Sequence, residues 1–371
     1  MSLKRYVRDY LSGYDAQLFC GKWNYTGGCV LMGAQYMAEA TGDASYLRAI
    51  DDFAARYVDG RGVILGFDAA EQNVDLMCSG RVLFGLYDRT GEARFRRGIE
   101  LVMDSMRKQP RTREGSFWHK RIYPWQVWLD GLYMAQPFYV EYERRFGTGE
   151  GWADTLAQFE TVRRRLYDGD KRLYYHGYDE SRTVYWADRR TGLSKSFWLR
   201  GIGWLLMALV DCWALMHCPQ KQKSPLADQL KEALDGLLAY RDGESGLFYQ
   251  VVDKPELAGN YLETSGSAMA AYAMMKGYRT GMLKDEAYRR IGEDILCALC
   301  ARHLQYDAGR LHLTQICSTA GLGPMDNPRR DGTPEYYVSE PVARDNAHGA
   351  AALIMACSEY LKLRSRQNAE E

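Results

Sequence analysis

The sequence has little that resembles a linker. Its ten prolines are dispersed, no Pro/Ser/Gly-rich stretch divides it, and its only polar tail begins after about residue 364. One domain over 1–371 is therefore expected, a length that a large closed toroid can hold. Net charge is also missing, with 48 Lys+Arg against 48 Asp+Glu. A balanced chain has no bulk attraction for nucleic acid or for an anionic membrane, so neither is expected as a partner. No stretch reaches about 18 apolar residues, and residues 1–14 hold no apolar export core, so a cytoplasmic protein is expected. Metal-site spacings are absent as well. Cys297 and Cys300 have no second Cys/His pair nearby, and the six His show no His-x-x-x-His pattern. No metal or other cofactor is expected, and the nine scattered cysteines read as mostly buried thiols in a reducing compartment.

Aromatic residues are what the chain has in excess: 27 Tyr, 9 Trp and 11 Phe, 13% in all. Tyr and Trp join an apolar face to a polar atom, which suits a sugar ring as well as a core. Convincing alternating strands are rare, and apolar residues recur at spacings of three and four. The pattern predicts helices near 4–19, 26–41, 45–58, 73–89, 93–107, 126–146, 151–166, 196–217, 225–240, 263–279, 285–303 and 346–363. The stretch 173–185 has a different texture and reads as a hairpin or loop excursion.

Every second helix opens on a cluster of aromatic, small and polar residues. The six openings carry Trp23-Asn24-Tyr25, Asn73-Val74-Asp75, Trp128-Leu129-Asp130, Phe197-Trp198-Leu199-Arg200, Glu263-Thr264-Ser265 and Asp345-Asn346-Ala347-His348. A glycine recurs in each: Gly28, Gly80, Gly131, Gly203, Gly266 and Gly349. This is a weak sixfold repeat of helical hairpins. Six hairpins closing on themselves give an inner and an outer ring, with small residues where inner helices crowd. The inner N-termini would gather at one end, where free N–H groups and helix dipoles favour an anion.

Asp130 is expected about two turns into its helix, after Pro124 and among Trp128, Leu129 and Leu132. Apolar surroundings would raise its pKa and make it a general acid, although an Asp in a packing role fits the local sequence too. Asp75 stands at the corresponding place one repeat earlier, and paired carboxylates facing a funnel suit glycoside hydrolysis.

The run Trp118-His119-Lys120, Tyr123-Pro124 and Trp128-Leu129-Asp130-Gly131-Leu132-Tyr133-Met134 resembles the signature of the unsaturated rhamnogalacturonyl hydrolases, glycoside hydrolase family 105, related to the family 88 unsaturated glucuronyl hydrolases. Tyr174-Tyr175-His176-Gly177, Trp186-Ala187-Asp188, Phe197-Trp198-Leu199-Arg200-Gly201, Glu263-Thr264-Ser265-Gly266 and Glu335-Tyr336-Tyr337 follow in the expected order, from about Trp23 to Tyr360. The resemblance implies an all-α (α/α)6 barrel. It also implies removal of a terminal Δ4,5-unsaturated uronic acid from a pectin-derived oligosaccharide. Asp130 would protonate C4, water would add at C5, and the hemiketal would open, with no metal. By the same resemblance Asp75 is the second active-site Asp, and Arg200 and Trp204 hold the uronate. His176 is a pocket histidine, His119 and Lys120 are substrate-side residues, Tyr25 lies at the pocket mouth, and Trp128 and Trp186 are stacking walls. Leu199, Ile202 and bulky Trp125 depart from the family pattern, and the loop 325–333 would border the side of the leaving sugar. A different leaving sugar, or a carbohydrate-binding toroid without activity, are the alternatives. An epimerase would need paired histidines across the pocket, and none is evident.

Overall fold

A computed structural model describes residues 2–14 and 23–370. Outer helix α1 is Ser2–Ser12, and the end of the expected 4–19 helix lies outside the described residues. Six hairpins follow the alternation of the sequence. The inner helices are α2 (Tyr25–Thr41), the pair α4 (Asp75–Cys78) and α5 (Arg81–Thr90), α7 (Leu129–Phe146), α9 (Leu199–Leu215), α11 (Thr264–Arg279) and α14 (Ala347–Glu370). Each packs on the next, and α14 packs back on α2, so the ring closes. Outside it lie α1, α3 (Arg48–Tyr57), α6 (Ala93–Arg107), α8 (Glu150–Leu166), α10 (Gln220–Leu238) and α12 (Glu286–His303). This is the expected (α/α)6 barrel. Inner helices such as α9 are buried on all sides, whereas outer helices such as α3 bury one face, as a ring enclosed by a ring requires. No helix among the described residues is long and apolar enough to cross a membrane. The polar tail continues α14 to Glu370 instead of leaving it, and of the cysteines among the described residues Cys297 is exposed, Cys218 and Cys300 are half-buried and the rest are buried.

The repeated glycines mark close approach. A Cβ on Gly28 would stand 2.7 Å from the Ser79 Cα, and one on Gly266 would stand 3.0 Å from the Leu199 carbonyl carbon. Gly131 and Gly349 instead face His119 and Ile316, side chains of the loops over the barrel end. The expected helix 73–89 is broken at Ser79-Gly80, where Ser79 Oγ donates to the Asn24 carbonyl at 2.5 Å.

Antiparallel two-stranded ribbons fill the loops. β1 (Gln126–Trp128) pairs β4 (Gly177–Asp179), and β2 (Tyr167–Asp168) pairs β3 (Leu173–Tyr174). β5 (Leu304–Asp307) pairs β6 (Arg310–Leu313), and β7 (Ile316–Cys317) pairs β8 (Val342–Ala343). The hairpin reading of 173–185 is therefore half met: β3 turns back on β2, but β4 reaches across to β1. The helix expected from 126 starts at Leu129, because Trp125 turns with φ 67° and Gln126, Val127 and Trp128 are held in the ribbon.

At the far end of the barrel, where the inner C-termini gather, Arg81, Arg144, Lys223, Lys276 and Arg279 line a cavity of about 440 Å³. Cations there oppose the negative helix ends. Beneath them Asp211 is fully buried, taking Arg81 Nη2 at 2.6 Å, Lys276 Nζ at 2.7 Å and the Tyr272 hydroxyl at 2.6 Å. Burial works to raise its pKa, but Lys276 and Arg81 outweigh it and hold the carboxyl down at about 2. A depressed carboxylate stabilises the fold above its ordinary value of 3.8, and that contribution is lost as pH falls through about 2. Asp211→Ala leaves two buried cations without their acid and should cost about 3–5 kcal/mol in denaturant unfolding at neutral pH. A midpoint like that of the wild type would show that the network contributes nothing.

Candidate active site

The first turns of the inner helices meet at the other end. Tyr25 and Asp75 are the first residues of α2 and α4; Asp130, Arg200, Ser265 and His348 are the second residues of α7, α9, α11 and α14. The sixfold repeat thus delivers one polar side chain per inner helix to a single place. In three repeats the residue just before the repeated glycine does so: Asp130, Ser265 and His348.

Asp130 is in the first turn of α7, not two turns in. Its Oδ2 lies 2.9 Å from His176 Nε2, and His176 Nδ1 lies 2.6 Å from the Tyr337 hydroxyl. The β1–β4 ribbon makes this pairing, since it sets Trp128 opposite Gly177 and lets Leu129 N donate to the His176 carbonyl at 3.0 Å. The expected raised pKa is overturned. Burial does push it up, but the His176 ring and its hydrogen bond, with His119 and the residue's own backbone N–H, hold the carboxyl below the usual carboxylate value.

Asp75 is gripped from the loop that precedes β1. Lys120 Nζ sits 2.6 Å from its Oδ2 and His119 Nε2 3.5 Å from its Oδ1. Burial pushes the His119 ring down to about 4, against the pull of Asp75, so it is neutral near pH 7. Burial opposes the charge on Lys120 too, but the Asp75 carboxylate raises its pKa overall. The His119 ring stacks on Trp128 with centroids 4.3 Å apart and planes at 15°.

Arg200 is buried to 1% exposure. Nη1 donates to the Cys317 carbonyl at 2.5 Å and reaches Ser265 Oγ at 3.4 Å, and the guanidinium lies over the Trp198 ring. Its Nε is buried without a partner, and no acidic side chain pairs with the guanidinium among the described residues. Tyr25 donates or accepts at His348 Nε2 at 2.7 Å and meets the Trp204 ring edge-on at 6.3 Å. Trp204 itself is buried and stacks on Tyr133. Tyr25 is held neutral first by burial and then by Asp75 and Asp130, while Arg200 pulls the other way, so all three charges converge on it. A cavity of about 580 Å³ reaches this cluster at His348; the rest of its lining includes Tyr6, Tyr10, Thr26, Thr319 and Asp345, and Asp75, Asp130 and Arg200 do not line it.

Nine of the ten sequence candidates therefore lie in one connected group: Tyr25, Asp75, His119, Lys120, Trp128, Asp130, His176, Arg200 and Trp204. Trp186 does not offer a stacking face. It is fully buried within the loop layer, in one cluster with Tyr123, Trp128 and Leu322. Tyr337, Ser265, Cys317 and His348 belong to the group without having been singled out. His348 and Ser265 were findable from their place before the repeated glycine. Tyr337 lies in the quoted stretch Glu335-Tyr336-Tyr337, but nothing local gives it or Cys317 a place in the site. Among the described residues no three His, Cys, Asp or Glu side chains gather as a metal site would need.

The model of Glycosyl Hydrolase Family 88 matches residues 13–364. A solved family 105 glycoside hydrolase of C. acetobutylicum ATCC 824 superposes with a TM-score of 0.91 at 35% identity, over 96% of this chain and 99% of that one. The 24.9 kDa protein in the picA locus of Rhizobium radiobacter is 43% identical over 235 residues, 62% of this chain and 99% of that protein. The unsaturated rhamnogalacturonyl hydrolase YesR of Bacillus subtilis (strain 168) is 26% identical over 93% of this chain and 91% of that one.

Proposed function

The chain belongs to glycosyl hydrolase family 88, and from that premise we propose that it removes a terminal Δ4,5-unsaturated galacturonic acid from rhamnogalacturonan-derived oligosaccharides. The observation that carries the reading is a buried carboxyl, Asp130, and a buried guanidinium, Arg200, that act on the same Tyr25 hydroxyl, the guanidinium having no acid of its own among the described residues. A proton donor beside an unmatched anion receptor suits a uronate better than a neutral sugar. The likeness to YesR supports the rhamnogalacturonan choice.

In this reading Arg200 holds the uronate carboxylate through its unmatched Nε. Tyr25, with Trp204 behind it, walls the ring, and Asp75 with Lys120 binds sugar hydroxyls. Trp128 carries His119, and Trp186 supports Trp128. Asp130 donates its proton to C4. Positive charge then develops at C5, water adds there and returns a proton to the carboxylate, and the hemiketal opens to release the neighbouring sugar. The net change is addition of one water. Asp130 needs that proton at working pH although His176 lowers its pKa. A bound uronate supplies the correction, because a second negative charge and the loss of solvent both raise a carboxyl pKa. We also place the enzyme in the cytoplasm, at the last step of pectin breakdown; the eight unpaired cysteines among the described residues fit a reducing compartment.

The test is incubation with unsaturated rhamnogalacturonan disaccharide in the presence of EDTA, following the ultraviolet absorbance of the C4=C5 bond. Loss of absorbance with release of rhamnose is expected. Activity only on other unsaturated uronyl disaccharides would change the leaving sugar. No activity on any of them would leave a binding toroid.

A further inference from the structure

We propose that Tyr337 is a positioning residue, whose hydroxyl fixes the tautomer of His176 so that Nε2–H faces the Asp130 carboxylate. The inference rests on the proposed role of Asp130 as proton donor, but its central statement concerns the direction of two hydrogen bonds and can be read without substrate.

The Tyr337 side chain is fully buried, and its hydroxyl has one hydrogen-bond partner among the described residues, His176 Nδ1 at 2.6 Å. A buried hydroxyl must place its proton, since an unplaced donor forfeits its hydration without return. It therefore donates to Nδ1. A neutral imidazole that accepts at Nδ1 carries its proton on Nε2, and Nε2 lies 2.9 Å from Asp130 Oδ2. The opposite polarity would aim a lone pair at the carboxylate and leave the phenol proton stranded. The pieces are held firmly. The Tyr337 ring stacks on Trp198 at 5.6 Å, Trp198 packs on His176 at 4.6 Å, and Gln250 Nε2 reaches the Tyr337 carbonyl. The short helix α13 (Pro334–Ser339) carrying Tyr337 is capped by Thr333, whose side chain accepts from Tyr336 N.

This gives His176 a task different from touching substrate. Its Nε2–H stabilises the carboxylate left after Asp130 has given up its proton, so the relay acts on the charged product of the proton transfer. Asp130 is faced by His176 and His119 from the loops, by Lys120 and Asp75 beside them, by Tyr25 from α2 and by Tyr337 from α13. Tyr337→Phe changes none of these charges at neutral pH. It removes the hydroxyl that holds Nδ1 as an acceptor and leaves the Asp130 carboxylate as the other group that favours Nε2–H.

The experiment compares wild type, Tyr337→Phe and the neighbouring control Tyr336→Phe, whose hydroxyl accepts from Gly321 N and not from the relay. Proteins labelled with 15N-histidine report the tautomer by NMR, and His176→Asn identifies the His176 signals. Expected are an Nε2–H pattern for His176 in wild type and control, and a weakened Nε2–H pattern, with part of the ring protonated at Nδ1, in Tyr337→Phe. On unsaturated disaccharide, Tyr337→Phe should lose about tenfold in kcat with KM little changed and a displaced pH–rate profile, as for an interaction made only in the transition state. A wild-type His176 protonated at Nδ1, or a pattern unchanged by Tyr337→Phe, would overturn the inference. So would a variant that merely melts earlier while keeping tautomer and pH profile. If wild type shows the expected tautomer but acts on no unsaturated uronide, the functional reading falls and the hydrogen-bond direction stands.

Discussion

Asp130→Asn is expected to lower kcat by about a thousandfold, the range for losing a positioned general acid, while the melting temperature moves little. Asn keeps the size of Asp and can still accept from His176 Nε2, so the relay and the start of α7 survive. What it cannot do is deliver a proton to carbon and take one back from water. The substitution also spares the protein the proton that Asp130 must take up when the uronate binds, so KM should stay level or fall. Steady-state kinetics on unsaturated disaccharide, with a thermal melt of the same sample, check this. A kcat within a few-fold of wild type would remove Asp130 from the reaction and turn attention to Asp75.

Arg200→Lys should lower kcat/KM by about a hundredfold, mostly through KM, because a guanidinium offers several fixed donors where an ammonium is a single point charge. In this protein Arg200 serves two masters. Nη1 is committed to the Cys317 carbonyl, and Nε remains for a ligand. Lysine can satisfy the carbonyl or the uronate, not both. The control is the melt, since losing the bond to Cys317 loosens β7 beside α14. A variant that melts early but binds as tightly as wild type would make Arg200 a structural tether and leave the uronate without its receptor.

The periodicity and the repeated glycines made the barrel legible. Helix spacing is local, and the need for Gly28 and Gly266 to let backbones touch recurs once per repeat. Helix starts were less legible. Val127 and Trp128 fit a helical stripe as well as a strand, and only pairing with Tyr178 and Gly177, about fifty residues on, made them a strand. The same distance hid the protonation of Asp130. Its neighbours in sequence are apolar and argue for a raised pKa, whereas its neighbour in space is His176. Trp186 shows the reverse error, for an aromatic in a motif says nothing about which face stays open, and here none does.

By itself, then, the sequence determined the six hairpins, the absence of bulk charge, and the gathering of Tyr25, Asp75, Asp130 and Arg200 at one end. Each of these follows from residues a few positions apart and from the repetition of that pattern. Tertiary structure alone decided what each group is chemically: Asp130 ionised by His176, Asp75 matched by Lys120, Arg200 left with a free donor, Tyr337 turned to the imidazole. Charge and proton affinity at a point depend on every dipole within a few ångströms, and the fold brings those dipoles together from positions as far apart as Asp130 and Tyr337.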